Sequence, residues 1–311
     1  MQGKIKTDSL SESLKNKAYE LGFSFCGITK ARFLEEDAPR LESWLKKGMN
    51  GKMAYMANYF DKRLDPRLLV ENAKTVISLA FNYFPSRFQP EAANYKISKY
   101  AYGEDYYNVI REKLKLLETF LRESSGNINS RSFVDSAPVL ERSWAVLSGL
   151  GWIGRNSMLI TRRNGSFFFL AEIITDLELE HDQPFGGNYC GDCSRCIDAC
   201  PTGAITDFTI DANKCISYLT IELKDEVSPA PKGSYNDWIF GCDICQDVCP
   251  WNRFSTPHNE SLFNPLPGLF ELQTKDWEQM KEETFKKMFG NSALKRARLS
   301  GLLRNISFLG D

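Results

Sequence analysis

Histidine is nearly missing from this chain: His181 and His258 are the only two in 311 residues. A site built on clustered imidazoles is thereby excluded. Charge of either sign is not in excess, since 39 Lys and Arg balance 40 Asp and Glu to a net −1. Nothing pulls the whole molecule toward a polyanion or an anionic membrane, so such a partner has to be met by a local basic patch. No apolar run approaches the roughly 18 residues that span a bilayer. The first residues, "MQGKIKTDSLSESLKNKAYE", contain no apolar core of a secretory signal, which places the protein in the cytoplasm with no membrane partner. No G-x-G-x-x-G follows a strand and no G-x4-G-K-[ST] occurs, so a nucleotide site of either kind is unsupported. A C-x3-C-x2-C triplet of radical enzymes is missing as well.

What is abundant is cysteine, and it is concentrated. Eight of the nine cysteines fall between Cys190 and Cys249, leaving Cys26 alone in an apolar run where it reads as an inert core thiol. In a reducing compartment, clustered thiols are metal or redox ligands rather than a disulfide framework. Structural zinc would favour two C-x2-C pairs at long separation. Instead, "CGDCSRCIDACP" sets Cys190, Cys193 and Cys196 in a C-x2-C-x2-C run with Cys200-Pro201 beyond. This is the run that wraps a [4Fe–4S] cube, its fourth cysteine reaching the other cube in two-cluster proteins. A partial second copy, "CDICQDVCP", supplies Cys242, Cys245 and Cys249, with Ile239 where the first ligand would stand. Cys215 is the spare thiol that completes it. The exchange rule then assigns Cys190, Cys193, Cys196 and Cys249 to cluster one, and Cys200, Cys215, Cys242 and Cys245 to cluster two.

Two clusters make a wire, so the rest of the chain must hold what receives the electrons. Apolar spacing predicts helices over 8–22, 34–47 and 106–126, and a strand over 75–84. The stretch 130–154 reads as a strand through Val134, a turn at Pro138 and then a helix. "SMLIT" and "SFFFLAEIIT" flank "RRNG" as a predicted hairpin. The expected architecture mixes α/β and α+β: an N-terminal α/β domain over 1–182, a ferredoxin-like two-cluster module over 183–258, and short helices over 259–311. From the residues alone the reading stops at a reductase with two clusters and an unidentified acceptor.

Further stretches carry a resemblance. "KRLDPRLLVENAKTVISLAFNYF", "YAYGEDYY", "FVDSAPVLERSWAVLSGLGWIGRNSMLI", "GSFFFLAEIITDLEL", "CISYLTIE" and "MFGNSALKRARLSGLLRN" run in order through nearly the whole chain. Together with the cysteines they resemble the epoxyqueuosine reductase family, which completes queuosine at the wobble position of tRNA. The resemblance implies cobalamin held base-off above the clusters with no protein ligand to cobalt, and neither histidine lies in the D-x-H-x-x-G context of such a ligand. It implies that low-valent cobalt, recharged through the clusters, removes the epoxide oxygen to leave an alkene. The proton donor falls at Asp135, whose bland alternative is a cap on the helix after Pro138. Positions matching the corrin-lining stretches are Arg63, Ser98, Lys99, Asn156, Ser157, Met158, Ser217 and Asp243, with Asp135 beside them. Arg142 is a candidate for a phosphate or for the donor carboxylate, or else for an ion pair with Glu141 or Glu118. Many members have Asp-Tyr-His where this chain has Asp105, Tyr106 and Tyr107. Many also continue into helical repeats, whereas this sequence stops at Asp311. The tRNA is therefore expected on the remaining surface, including Lys295, Arg296, Arg298 and Arg304, with Arg142 nearer the pocket. The expected electron source is an external donor of the ferredoxin or flavodoxin type, and the expected state is a monomer. Two alternatives remain: a cobalamin and iron–sulfur reductase of a small molecule, similar to a dehalogenase, and a non-catalytic ferredoxin-type carrier.

Overall fold

Two long, largely apolar strands organise the molecule. In the computed structural model, which describes residues 7–90, 94–224 and 235–310, the elements of the first half are α1 (Thr7–Glu20), β1 (Phe25–Lys30), α2 (Ala38–Lys46), α3 (Phe60–Leu64), β2 (Thr75–Asn82), β3 (Lys96–Ile97) and α4 (Tyr106–Ser125). There follow β4 (Ser130–Phe133), α5 (Glu141–Leu147), β5 (Trp152–Ile153), β6 (Leu159–Ile160) and β7 (Phe168–Thr175). The four-stranded sheet has the order β1-β2-β7-β4 and every pairing in it is antiparallel.

β2 and β7 occupy the middle, so both of their faces are covered, which is why they read as continuous apolar runs rather than alternating ones. Ile77, Leu79 and Phe81 face α1 and α4 together with Phe169, Ala171 and Ile173. The opposite parity, Val76, Ala80, Phe168 and Ile174, packs on Trp144 and Ala145 of α5. α4 starts where the Asp105 carboxylate accepts the Tyr107 N–H, 3.2 Å away, and ends at Gly126.

The predicted hairpin does not form as such. Leu159 and Ile160 pair back onto Trp152 and Ile153, leaving a single bridge between Thr161 and Gly165 at the turn. β7 instead enters the main sheet, because the apolar side chains on both its faces are buried only there.

The second half holds α6 (Arg195–Asp198), β8 (Ile205–Thr206), β9 (Thr209–Ile210), α7 (Ile216–Ile221), β10 (Trp238–Phe240) and α8 (Ile244–Asp247). α9 (Thr274–Glu278), α10 (Glu282–Phe289) and α11 (Arg298–Gly310) close the chain. β10 pairs in parallel with the distant β3 and so ties the cysteine region to the first half. The C-terminal helices bury Trp277, Phe289, Leu294 and Leu302 in one core with Ile97, Tyr102 and Phe240. Among the described residues no helix is long and apolar enough to cross a membrane. Cys26 is buried against α1 and its thiol is pushed up to about 12 by that burial, as an inert core thiol should be.

Candidate active site

Short helical turns present the eight clustered thiols. α6 and α8 pack on each other, and each starts one residue before a central cysteine of its motif, Cys196 and Cys245. None of the eight forms a disulfide and all are half-buried. Burial raises the Cys249 thiol, with Cys190 and Cys193 beside it adding to the effect. It likewise raises Cys196, whose neighbours are Cys249 and Cys190. Burial pushes Cys242 and Cys245 up as well, next to Cys215 and Cys200 in the first case and to Cys242 and Cys215 in the second. Cys196 also lies beside Cys245. Backbone N–H groups point at these sulfurs, including Ala204 toward Cys200 at 3.3 Å, Tyr218 toward Cys215 and Ile244 toward Cys242. Crowded, half-buried thiols under amide donors are a poor home for free thiols but a fitting donor set for iron–sulfur cubes.

A cleft of about 1410 Å³ opens beside this region, larger than the roughly 300–1,000 Å³ that takes a drug-sized ligand. Its wall includes Arg63, Tyr107, Asp135, Arg142, Ser157 and Arg296. Asp135 does not cap a helix: α5 begins at Glu141 with Leu140 at its N-cap and no side-chain cap. Asp135 instead takes a left-handed backbone, φ +52°, which directs its carboxyl to the Tyr106 hydroxyl, a donor in direct hydrogen-bond contact. Asp135 is exposed on the cleft wall, its carboxyl lying against Tyr106. Burial raises its pKa, partly opposed by the Tyr106 hydrogen bond and the Arg296 charge, while the Asp105 charge reinforces the rise. Tyr106 is itself fixed by stacking on Phe169, ring centroids 4.1 Å apart. The result is a carboxylic acid whose proton is retained above the ordinary range.

Lys295 and Arg296 do not form a free basic strip. Their cations pair with the buried Asp105 carboxylate at 3.0 and 2.9 Å, and Arg296 lies over the Tyr106 ring at 4.9 Å. The reason is desolvation: a carboxylate buried at the head of α4 needs cationic partners. Arg298 is exposed, after a break at which its φ is +60°. Arg304 is turned inward, donating to the Leu223 and Leu219 carbonyls at 2.6 and 3.0 Å. Arg142 donates to the Ser157 carbonyl, and no ion pair to Glu141 or Glu118 is among its described contacts.

The remaining sequence candidates separate into two groups. Arg63 and Ser157 lie on the cleft wall with Asp135 and Arg142. Ser98, Lys99 and Asp243 form a network of their own between β3 and α8. In it Asp243, 1% exposed, accepts from the Ser98 hydroxyl, from the Lys99 N–H at 2.8 Å and from the Lys99 ammonium at 3.4 Å. Asn156 is buried and donates to the Cys245 carbonyl at 3.3 Å, next to half-buried Met158. Ser217 is half-buried in α7 and its carbonyl accepts from Thr220. The neighbouring histidines are remote from the cleft wall: His181 is exposed, and His258 is buried edge-on against Phe263.

Buried polar atoms without a partner mark what the cleft can still bind. Arg63 Nε and Arg296 Nη1 are such atoms, and an unsatisfied buried donor is costly unless a ligand takes it. Their planar donors suit the amide and carbonyl oxygens at the rim of a large macrocycle. Sequence reasoning missed Glu141 and Glu172 behind Asp135. Glu172 stood in plain sight as the one acid in "SFFFLAEIIT".

Comparison with known proteins gives a consistent picture. Residues 189–252 match the family described as a 4Fe-4S double cluster binding domain, and residues 63–136 match the one described as epoxyqueuosine reductase QueG. The epoxyqueuosine reductase of Cellulophaga algicola is 58% identical over 300 residues, covering 96% of this chain and 97% of the relative. That of Escherichia coli is 39% identical over 313 residues, 99% of this chain and 82% of the relative. Among solved structures, an epoxyqueuosine reductase with an epoxyqueuosine-modified tRNA-Tyr stem loop superposes with a TM-score of 0.89 at 31% identity, covering 97% of this chain and 80% of that one. The Bacillus subtilis enzyme, with its catalytic aspartate loop swung out of the active site, superposes at 0.87 and 30% identity over 97% and 81%.

Proposed function

Because the chain belongs to the epoxyqueuosine reductase family, we propose that it reduces the epoxide of epoxyqueuosine in tRNA to the alkene of queuosine, with Asp135 as proton donor. The observation that carries this reading is an acid with a raised pKa facing a cleft too large for a small substrate, beside a two-cluster module. Two electrons and two protons enter and one water leaves. Cobalamin, the cofactor implied by the family resemblance, would be held against Arg63, Ser157 and the neighbouring wall, and when bound would supply low-valent cobalt chemistry.

The protein's own part is placement and proton supply. Tyr106 holds the Asp135 carboxyl by a hydrogen bond, and burial shifts it toward the protonated form that would supply a proton as charge develops on the departing oxygen. Asp135 lies on a loop, and in the Bacillus subtilis relative the corresponding loop swings, so substrate entry is read as loop displacement followed by return. Cys190, Cys193, Cys196 and Cys249 are read as one cube's ligands, and Cys200, Cys215, Cys242 and Cys245 as the other's. Ser98, Lys99 and Asp243 tie β3 to α8, and Asn156 ties the turn before β6 to Cys245, so these residues, with Met158 and Ser217, are read as supporting the corrin. An open groove of about 950 Å³ lined by Cys249 is where we place a ferredoxin- or flavodoxin-type donor on a monomeric, cytoplasmic enzyme.

Asp135→Asn tests the acid. The variant is expected to take up both clusters and cobalamin, seen as corrin bands over the iron–sulfur absorption. Its single-turnover reduction of an epoxyqueuosine stem loop should fall by about 10²–10⁴-fold, the usual worth of general-acid help. Turnover near that of the wild type refutes the assignment.

A further inference from the structure

Behind Asp135 lies a second carboxyl group with no use in the reaction as described. Glu172 stands in the middle of β7, opposite Ser78 on β2 and Phe133 on β4. It shares the parity of Phe168 and Ile174, which pack on α5. It is 0% exposed, and neither of its carboxyl oxygens has a hydrogen-bond partner among the described residues. An ionised carboxylate in that position would be an isolated charge in the centre of a sheet, which proteins avoid by keeping the proton on.

The titratable group facing it is Glu141, the first residue of α5, which packs on β7. Burial raises both carboxyls, the Glu141 charge adding to the rise at Glu172 and the Asp135 charge to that at Glu141. Arg142 is the one cation acting on Glu141, and it opposes that rise. β2 and β4 bring only Ser78 and Phe133 opposite Glu172. One oxygen of Glu141 is committed: Oε1 accepts the backbone N–H of Asp135 at 2.7 Å. That amide belongs to a non-glycine residue at φ +52°, a conformation that persists only when its surroundings hold it.

We propose that Glu172 and Glu141 form a two-carboxyl prop for the Asp135 loop: Glu172 keeps its proton, Glu141 takes the Asp135 amide, and the pair positions the acid for delivery. Glu141, on the cleft wall, and Glu172, inside the sheet, are positioning residues that act through Asp135. The prop rests on Asp135 being the acid. When pH rises far enough to ionise Glu172 as well, two neighbouring anions repel, the hold of Glu141 on the Asp135 amide weakens, and the loop is released.

The test reads the loop directly as well as the rate. Amide hydrogen exchange of residues 133–140, corrected for the intrinsic rate at each pH, is followed in the cofactor-free protein for wild type, Glu141→Ala, Glu141→Gln and Glu172→Gln. Single-turnover rate and stem-loop affinity are measured on the loaded enzyme, with Asp135→Asn as reference. Losing the acceptor of the Asp135 N–H should cost protection of that amide, and rate, roughly tenfold in Glu141→Ala. Stem-loop affinity should stay within about twofold, and Glu141→Gln, which keeps the acceptor oxygen, should recover most of the loss. In Glu172→Gln, loop protection should persist to pH values at which the wild type loses it. Unchanged protection in Glu141→Ala overturns the prop. If that variant misfolds, a wild-type pH dependence of protection in Glu172→Gln overturns it instead. An active Asp135→Asn removes the acid assignment, while the exchange data still decide whether the carboxyl pair holds the loop.

Discussion

Asp105→Asn separates the two cations that share Asp105. The Asp105 side chain is 3% exposed, against 42% for Lys295 and 28% for Arg296. Asparagine keeps an oxygen for the Tyr107 N–H, so the α4 cap survives the change. The Lys295 pair is mostly solvated and should contribute no more than about 1 kcal/mol. Arg296 is left against the Tyr106 ring without its carboxylate, at a cost of about 2 kcal/mol. The expected total of about 2–3 kcal/mol should appear in urea unfolding as a lower midpoint at unchanged slope, with cluster loading matched between samples. Double-mutant cycles then divide it: coupling of Asp105 to Arg296 should exceed about 1 kcal/mol, and coupling to Lys295 should stay below about 0.5 kcal/mol. The same variant should move the alkaline limb of reduction to lower pH. The Asp105 charge raises the Asp135 pKa, and removing it lets Asp135 lose its proton sooner. Equal couplings, or a total below about 1 kcal/mol, would refute the view that desolvation of Asp105 fixes Arg296 at the cleft.

Other outcomes follow from the same geometry. Cys249→Ala should cost the cluster shared with Cys190, Cys193 and Cys196 and leave the second cube's resonance signal, since Cys249 is crowded by that group; selective loss of the Cys242 and Cys245 cluster would reverse the assignment. Because Lys295 is paired and Arg298 is exposed, Arg298→Ala should flatten the salt slope of log K for tRNA by roughly 0.7–0.9, the value of one phosphate contact, and Lys295→Ala by less. Glu172→Gln should also flatten the pH dependence of stability. Glu172 binds its proton more tightly folded than unfolded, so the wild type is favoured below the unfolded glutamate value of ~4.3. It loses up to about 1.4 kcal/mol per pH unit as pH rises from there toward the raised folded value. An identical slope in the variant, measured from pH 4 to 8, would mean Glu172 is ionised in the folded protein.

Much of this was legible because its chemistry is local. Cysteine spacing needs no tertiary knowledge to announce two cubes, and the start of α4 at Asp105 and its stop at Gly126 are written in a cap and a glycine. β7 shows where local reading fails. "RRNG" does make a turn, but the strand after it is apolar on both faces, and what such a strand pairs with is decided by which sheet has a vacant centre. Lys295 and Arg296 fail for a related reason. Four basic residues in ten look like a phosphate-binding face until the fold brings a buried carboxylate from 190 residues away.

The cleft is therefore assembled from charges whose values are set at a distance. Burial raises the Asp135 pKa, yet Tyr106 and Arg296 both pull it down, and Arg296 pairs with Asp105, buried at the head of α4. On the other side, the Asp135 amide rests on Glu141, and the Glu141 charge reaches Glu172 at the centre of the sheet. A carboxyl without these neighbours would lack the upward shift that burial gives Asp135. One cation, Arg296, moderates its pKa, and one acid, Glu141, accepts its backbone N–H. Acidity and position are thus set by different neighbours, Arg296 and Glu141, and substitutions at the two should differ in kind: one shifts the pH profile of reduction, the other lowers its ceiling.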